Sequence, residues 1–258
     1  AGNRKTFTWS FWFKRTTIGV ESALFSHGAN AGSDMCMLRF DPDNLNLHNG
    51  ASNGAFSTNA KYRDTNAWYH VVLRMDTTQA TNTDRMRLYI NGVQETSFSS
   101  ITYPNQNDDT NCNTTSTLHI GERPDDNKHF DGIMSHVHFC DGYSYGADSF
   151  GSTDSTTGEW KINTNPNVQY GTNGFFLFKD NASTTDQSPN TNNFTASGTL
   201  TKTEDCPSNV FCTYNKLQQT NGGAGFENGN TYFTNGTNWL GVNGTIAATI
   251  FFFFFFFF

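Results

Sequence analysis

Bulky apolar and polar side chains alternate, or nearly so, along three stretches: Lys5–Lys14 (KTFTWSFWFK), Trp68–Leu73 (WYHVVL) and Arg87–Val93 (RLYINGV). A period of two is that of a β-strand with one buried face. Arg87-Leu88-Tyr89-Ile90 runs directly into Asn91-Gly92, two residues that tolerate positive φ, which is a strong hairpin signal. The same pattern predicts strands over Thr6–Lys14, Ala23–Gly28, Met35–Phe40, Leu45–His48, Trp68–Met75, Met86–Ile90, Ser116–Ile120 and Gly132–Cys140. Asp41-Pro42-Asp43-Asn44 reads as a turn, and Gln79–Asp84 and Asn105–Thr115 as polar loops. On Gly132–Cys140 the alternation sends Ile133, Ser135, Val137 and Phe139 inward and leaves His136 and His138 on a solvated face.

Beyond residue 142 the pattern loosens. Residues 143–180 are rich in Ser, Thr, Gly, Asp and Asn around Trp160, until Phe175–Phe178 returns to the core as a short strand. Residues 181–258 scatter Phe194, Phe211, Tyr214, Phe226, Tyr232, Phe233 and Trp239 through an Asn/Thr/Ser-rich background. That mixture predicts an extended arm pegged by its rings, since disordered tails carry few aromatics. The chain thus divides into a sandwich (1–142), a return segment (143–180) and an arm (181–258). The expected class is all-β, a two-sheet antiparallel jelly-roll sandwich with an extended C-terminal arm.

Composition narrows the partners. Charged residues make up 15% of the chain and the net charge is −7, so there is no basic footprint for nucleic acid. The hydrophobic run is Ile250, Phe251, Phe252, Phe253, Phe254, Phe255, Phe256, Phe257 and Phe258. It is far short of the ~20 residues a spanning helix needs, so no membrane insertion is expected. With neither an initiator Met nor a signal peptide, Ala1 reads as a processed or truncated start. Five cysteines lack the paired C-x-x-C of a zinc ribbon. Cys206 and Cys212 can close a small disulfide loop, while Cys36 and Cys140, inside apolar runs, read as buried thiols. Asn113, Asn181, Asn193, Asn235 and Asn243 head N-x-S/T sequons, which carry glycans only where the producing cell glycosylates.

Four blocks in order, Trp68-Tyr69-His70-Val71-Val72, Leu88-Tyr89-Ile90-Asn91-Gly92-Val93, Leu118-His119-Ile120-Gly121 and Phe130-Asp131-Gly132-Ile133, resemble the laminin-G-like, concanavalin-A-like jelly roll over roughly residues 4–141. Ser135–Phe139, Ala147–Gly151, Gly158–Lys161, Tyr170–Phe175, Asp180–Ser183 and Cys206–Asn209 further resemble structural proteins of aquatic bacteriophages, grouped with tail fibres and virion appendages. The laminin-G-like resemblance implies a sandwich fold and, at its rim, a calcium ion held by aspartates; Asp125, Asp126 and Asp131 are the candidates, against the alternative of solvated turns. Glucanases of this fold present Glu-x-Asp-x-x-Glu along one strand, and none of the six glutamates here has that spacing, so no catalytic residue is assigned and no enzyme is expected. A sugar platform would draw on Trp12, Tyr62, Trp68 or Tyr103, although an aromatic sandwich also needs such rings for packing.

Such relatives carry another strand upstream of Ala1-Gly2-Asn3-Arg4. Ile250–Phe258 is either a surplus strand that fills the corresponding groove of a neighbouring copy, or a run standing in for residues of unestablished identity. Head-to-tail insertion of that kind builds an open filament. The first functional expectation is therefore a non-enzymatic structural subunit of an extracellular or virion-surface fibre, partnered by copies of itself in a homo-oligomer. The alternative is a carbohydrate-binding adhesin module for surface glycans, with Ca2+ as its one candidate cofactor.

Overall fold

A computed structural model describes residues 1–28, 34–50, 54–123, 128–180, 182–209, 214–219, 225–227, 230, 232–234 and 242–244. Two six-stranded antiparallel sheets face each other. The first runs β14 (Phe175–Leu177), β11 (Gly132–Asp141), β1 (Thr6–Arg15), β6 (Tyr69–Asp76), β7 (Met86–Ile90), β8 (Val93–Gln94). The second runs β10 (Leu118–Ile120), β2 (Ser22–His27), β3 (Cys36–Asp41), β4 (Asn44–Asn49), β5 (Ala55–Lys61), β9 (Phe98–Thr102). This is the all-β sandwich expected from the alternation.

The inner residues of β1 join the sheets. Trp9 stacks on Phe25 of β2 at 4.2 Å between centroids, and Phe13 meets Phe40 of β3 edge-on at 5.3 Å. With Phe7 and Phe11 they form one core together with Leu38, Leu47, Val71, Leu73 and Leu88. Burying the four β1 rings contributes roughly 6–12 kcal/mol. The Asn91-Gly92 turn forms as expected, both residues at positive φ, between β7 and β8.

The outer face of the first sheet is covered as well. A second apolar cluster joins Val72 and Cys140 to Ala147, Phe150 and Val168, with Tyr145, Trp160 and Tyr170 packed against it. The return segment supplies this layer through a 3-10 turn (Ala147–Ser149) and a hairpin of β12 (Gly151–Thr153) and β13 (Trp160–Ile162). Trp160 lies so close to Gly92 that a Cβ there would overlap its indole.

That layer overturns the expectation of solvated histidines. His136 and His138 are 4% and 2% exposed, and His138 stacks on Phe176 at 3.9 Å. A β-bulge is the second departure. Ser10 pairs with His138 but Trp12 pairs with Ser135, which places two residues of β11 opposite Phe11, with His136 at positive φ. Met134, not Ser135, consequently packs on the core beside Val137 and Phe139. A third correction concerns Cys36, which is no thiol but is bonded to Cys112. Cys140 is a buried thiol as expected, pushed up to about 12 by desolvation.

Strands β5, β8 and β9 are absent from the sequence reading, and the Gln79–Asp84 loop holds a single helical turn, α1 (Asn82–Arg85). β5 and β9 lie at one end of their sheet, where little apolar patterning is required. Residues 182–209 run without regular strands. Further on, β15 (Tyr214–Gln219) pairs with β18 (Val242–Gly244) and β16 (Gly225–Glu227) with β17 (Tyr232–Thr234), two short ribbons within the arm. Ile250–Phe258 lies outside the described residues, as do Cys212, Asp125, Asp126, Asn181 and Asn235.

Candidate functional site

The two sheets end on the same side of the sandwich in edge strands β10 and β14. Between them opens a cleft of about 740 Å3. Its buried lining is aromatic: Trp9, Phe25, Phe139 and Phe175, the last meeting Phe194 edge-on at 4.7 Å. Its mouth is polar and exposed, with Ser116, Thr117, Asn193, Thr195 and Ser197. Glu122 is the acidic side chain of the lining, with His119 Nδ1 at 2.7 Å, and no lysine or arginine among the described residues lines the cleft.

Both walls are fixed from behind. The 112–117 loop is tied to β3 by the Cys36–Cys112 disulfide. Asn113 adds to this by donating its amide to Asp141 Oδ1 at 2.6 Å and to the Asn3 carbonyl. The opposite wall, 186–197, is organised by Asp186. That buried carboxylate accepts the main-chain N–H of Phe176, Ser188 and Asn192 at 2.7–2.8 Å and the Ser188 hydroxyl. Asn190 and Asn192 then donate to the carbonyls of Gly171, Thr172 and Gly174. A carboxylate with four N–H and O–H donors converts an irregular segment into a rigid wall.

One polar group on the buried lining stands out. The Trp9 indole N–H is closed off from solvent and has no acceptor among the described residues. Buried donors without partners are rare and ask for a reason. His27 on the same lining is matched, its Nδ1 contacting the Asn111 carbonyl at 3.2 Å, and burial lowers its pKa.

A second polar cluster is sealed beneath the return segment. Trp160 donates its indole N–H to His70 Nδ1 at 3.0 Å, so Nδ1 is bare and Nε2–H donates to Ser10 Oγ at 2.9 Å. Desolvation, with a contribution from His136, holds His70 down at about 3. Desolvation first, then Lys179, holds His136 at about 4, and His138 is depressed for the same leading reason. Further along the same outer face, Lys14 and Asp205 form a fully buried ion pair at 2.5 Å, and Trp68 donates its indole N–H to the same carboxylate oxygen at 3.1 Å. These histidines cannot act as a metal set while Trp160 and Ser10 occupy His70, and no metal-binding group of three His, Cys, Asp or Glu occurs among the described residues.

The residues named from sequence fall mostly elsewhere. Trp12 and Tyr62 are each 4% exposed, Trp12 stacked on His70 and Tyr62 edge-on to Tyr69, so neither offers a free ring face to a sugar. Tyr103 is half-buried against the core. Asp131 accepts hydrogen bonds from the hydroxyls of Thr16 and Thr17; with Asp125 and Asp126 outside the described residues, the described side chains do not assemble a calcium site. Of the sequons, Asn113 has its amide engaged as above, whereas Asn193 is exposed at the cleft mouth with its carbonyl accepting the Asp186 N–H at 2.9 Å. Asn243 lies in β18, and nothing is described of its side chain. Cys206 is a thiol near Ser208 and Asn209. Asp186, Glu122 and the 192–197 segment were missed. Their only sequence trace is Asp186 followed by Ser188 and a run of asparagines, which resembles any Asx turn.

Residues 2–148 match the laminin-G family described as the concanavalin A-like lectin/glucanases superfamily, and the chain belongs to it. Among solved structures it is similar to a Bacteroides ovatus protein proposed to bind carbohydrate (16% identity, TM-score 0.41), covering 61% of this chain and 51% of that one. It is also similar to domain 4 of the extracellular arabinanase AbnA of Geobacillus stearothermophilus, solved with arabinotriose (17%, TM-score 0.38, covering 55% and 63%). A third is mouse laminin α1 domains LG4-5 (13%, TM-score 0.38, covering 54% and 36%). The chain therefore spans about a third to two-thirds of the length of these structures. No protein of curated function matches it.

Proposed function

We infer that this chain is a non-catalytic carbohydrate-binding module displayed at an extracellular or virion surface, with the edge cleft as its site. The observation that carries this reading is the composition of the cleft mouth: exposed hydroxyl and carboxamide groups beside the half-buried Leu118 and Phe194, between one wall tied by the Cys36–Cys112 disulfide and another organised by Asp186. Sugars present a fringe of hydroxyls with short apolar C–H faces between them, which a polar mouth with a small apolar margin suits. The superfamily contains both lectins and glucanases. Hydrolysis needs two carboxyl groups across the scissile bond, and among the described residues the lining brings Glu122 alone.

A glycan array probed with the purified chain, with and without EDTA, tests the reading. Binding to a coherent set of glycans is expected, and its loss in EDTA would assign calcium a part in it. Absence of binding to every glycan would overturn it.

The fibre reading has its own supporting observation. Among the described strands β10 has a neighbour on one side only, so its outer main chain borders the same cleft and could pair with a strand from another copy. Self-association would then compete with glycan. Ordered polymers in electron micrographs, lost when residues 250–258 are removed, would favour that assembly.

A further inference from the structure

We propose that residues 147–170 form an acid-released flap, latched to the outer face of the first sheet by His70 and His138 and able to swing away while both sheets stay folded. The inference does not depend on what the edge cleft binds.

The segment is tied down near its two ends. It leaves β11 at Gly142 and returns at Tyr170, whose carbonyl accepts the Asp141 N–H at 2.9 Å. Gly171, at positive φ, lies so close to the Asp141 carbonyl that a Cβ there would overlap it. Just inside this neck the Thr8 hydroxyl donates to the Tyr143 carbonyl and accepts the Tyr145 N–H, both at 2.8 Å, and Arg74 donates to Ser144 Oγ. Past residue 146, the side-chain hydrogen bonds to the sheets among the described residues both end on a histidine. Trp160 donates to His70 Nδ1 at 3.0 Å, and the Tyr170 hydroxyl lies 2.9 Å from His138 Nδ1. Ala147, Phe150 and Val168 add apolar contact with Val72 and Cys140. Among the described strands, β12 and β13 pair with each other and not with either large sheet. A segment with so few bonds to its support opens more readily than the sheets beneath it.

The proton acts at the latch. Burial holds both rings neutral, His70 at about 3 and His138 well below the usual histidine value. With the flap away, water reaches the rings and a value near about 6.5 returns. The open form therefore binds protons first, and opening is favoured as pH falls below that point, about tenfold per pH unit for each histidine freed. Neighbouring charges reinforce this. After desolvation, His136 opposes protonation of both rings and Lys179, just past β14, opposes that of His138, while Asp180 acts on His136 in the other sense. On the same outer face, Lys14 is matched by Asp205, and burial pushes the Cys140 thiol up to about 12, so it carries no charge. In the flap, Asp154 pairs with Lys161 at 2.7 Å, and Asp148 and Glu159 are exposed. Opening uncovers Val72 and Cys140, an apolar surface that stays covered at neutral pH.

Hydrogen exchange of the full chain, read by mass spectrometry from about pH 6.5 to about pH 4.5 and corrected for intrinsic amide rates, tests the flap. Amides of 147–170 should exchange faster than those of β1 and β6 throughout, and their protection should fall about tenfold or more per pH unit. Labelling of Cys140 by dithiodipyridine, measured against the half-buried Cys206 by peptide mapping, should rise in step. His70→Gln keeps an acceptor for Trp160 but takes up no proton, so it should reduce the slope by about tenfold per pH unit. If that variant folds poorly, the slope of the unmutated chain still decides. Flap amides as protected as those of β1 and β6 would overturn the separate opening, because opening would then be global. Protection that holds level with pH would overturn the histidine latch.

Discussion

Acidification should unfold this protein well before its carboxylates are neutralised. His70, His136 and His138 are buried side by side between the first sheet and the segment covering it, and each is held neutral. Protonating His70 would put a new N–H on Nδ1, directly opposite the N–H of Trp160 that now donates to it. The groups facing the trio are Lys179, whose charge opposes protonation, Asp180 beside His136, and the Tyr170 hydroxyl 2.9 Å from His138 Nδ1. Because the folded values lie below the unfolded value of about 6.5, the unfolded chain binds protons first, and stability falls as pH drops below that point. Each such histidine removes about 1.4 kcal/mol per pH unit. With His70 at about 3 and His136 at about 4, both remain neutral in the fold at pH ~4.5, so together they cost roughly 5 kcal/mol there. That is a large share of the ~5–15 kcal/mol a domain possesses. Asp43 and Asp76 have folded values below the carboxylate norm, so their contributions disappear only at still lower pH. Urea titrations followed by tryptophan fluorescence between about pH 7 and about pH 4.5 provide the measurement. A free energy of unfolding that stays level across this window would refute the reasoning. So would a His70→Gln variant that keeps the full pH slope.

Three other outcomes follow from single contacts. Asp205→Ala should cost about 3–5 kcal/mol by stranding the Lys14 ammonium, and the double change Lys14→Met, Asp205→Leu should recover most of it in thermal denaturation. Gly92→Ala, at positive φ and against Trp160, should lower the melting temperature and make the 143–170 segment more susceptible to limited proteolysis. Replacing Cys36 and Cys112 by Ala should cost about 2–5 kcal/mol and weaken glycan affinity too, since the disulfide anchors one wall of the cleft.

The strands that build the core were legible because their period is imposed by burial on one side. β1, β6 and β7 carry Phe, Trp, Val and Leu at every second position, and that alternation has no other stable use. β5 and β9 escaped notice because strands near a sheet's end hold their place largely through main-chain hydrogen bonds, which any side chain permits. His136 and His138 were misjudged for a related reason: alternation tells which face a residue takes but not whether that face meets water. The covering layer is contributed by residues 143–178, whose own composition reads as loop.

The cleft lies at the far end of this scale. Trp9 and Phe175 come from different strands of one sheet and Phe25 from the other, and Asn113 and Asn193 belong to loops eighty residues apart. Local order along a chain records which side chains seek an apolar surface, so the amino-acid sequence by itself determined the two-layered β architecture and its aromatic interior. Which sheet edges stand together and which histidines are sealed are properties of long-range pairing. Those were decided only when the strands packed, because they depend on distances between residues that no local pattern encodes.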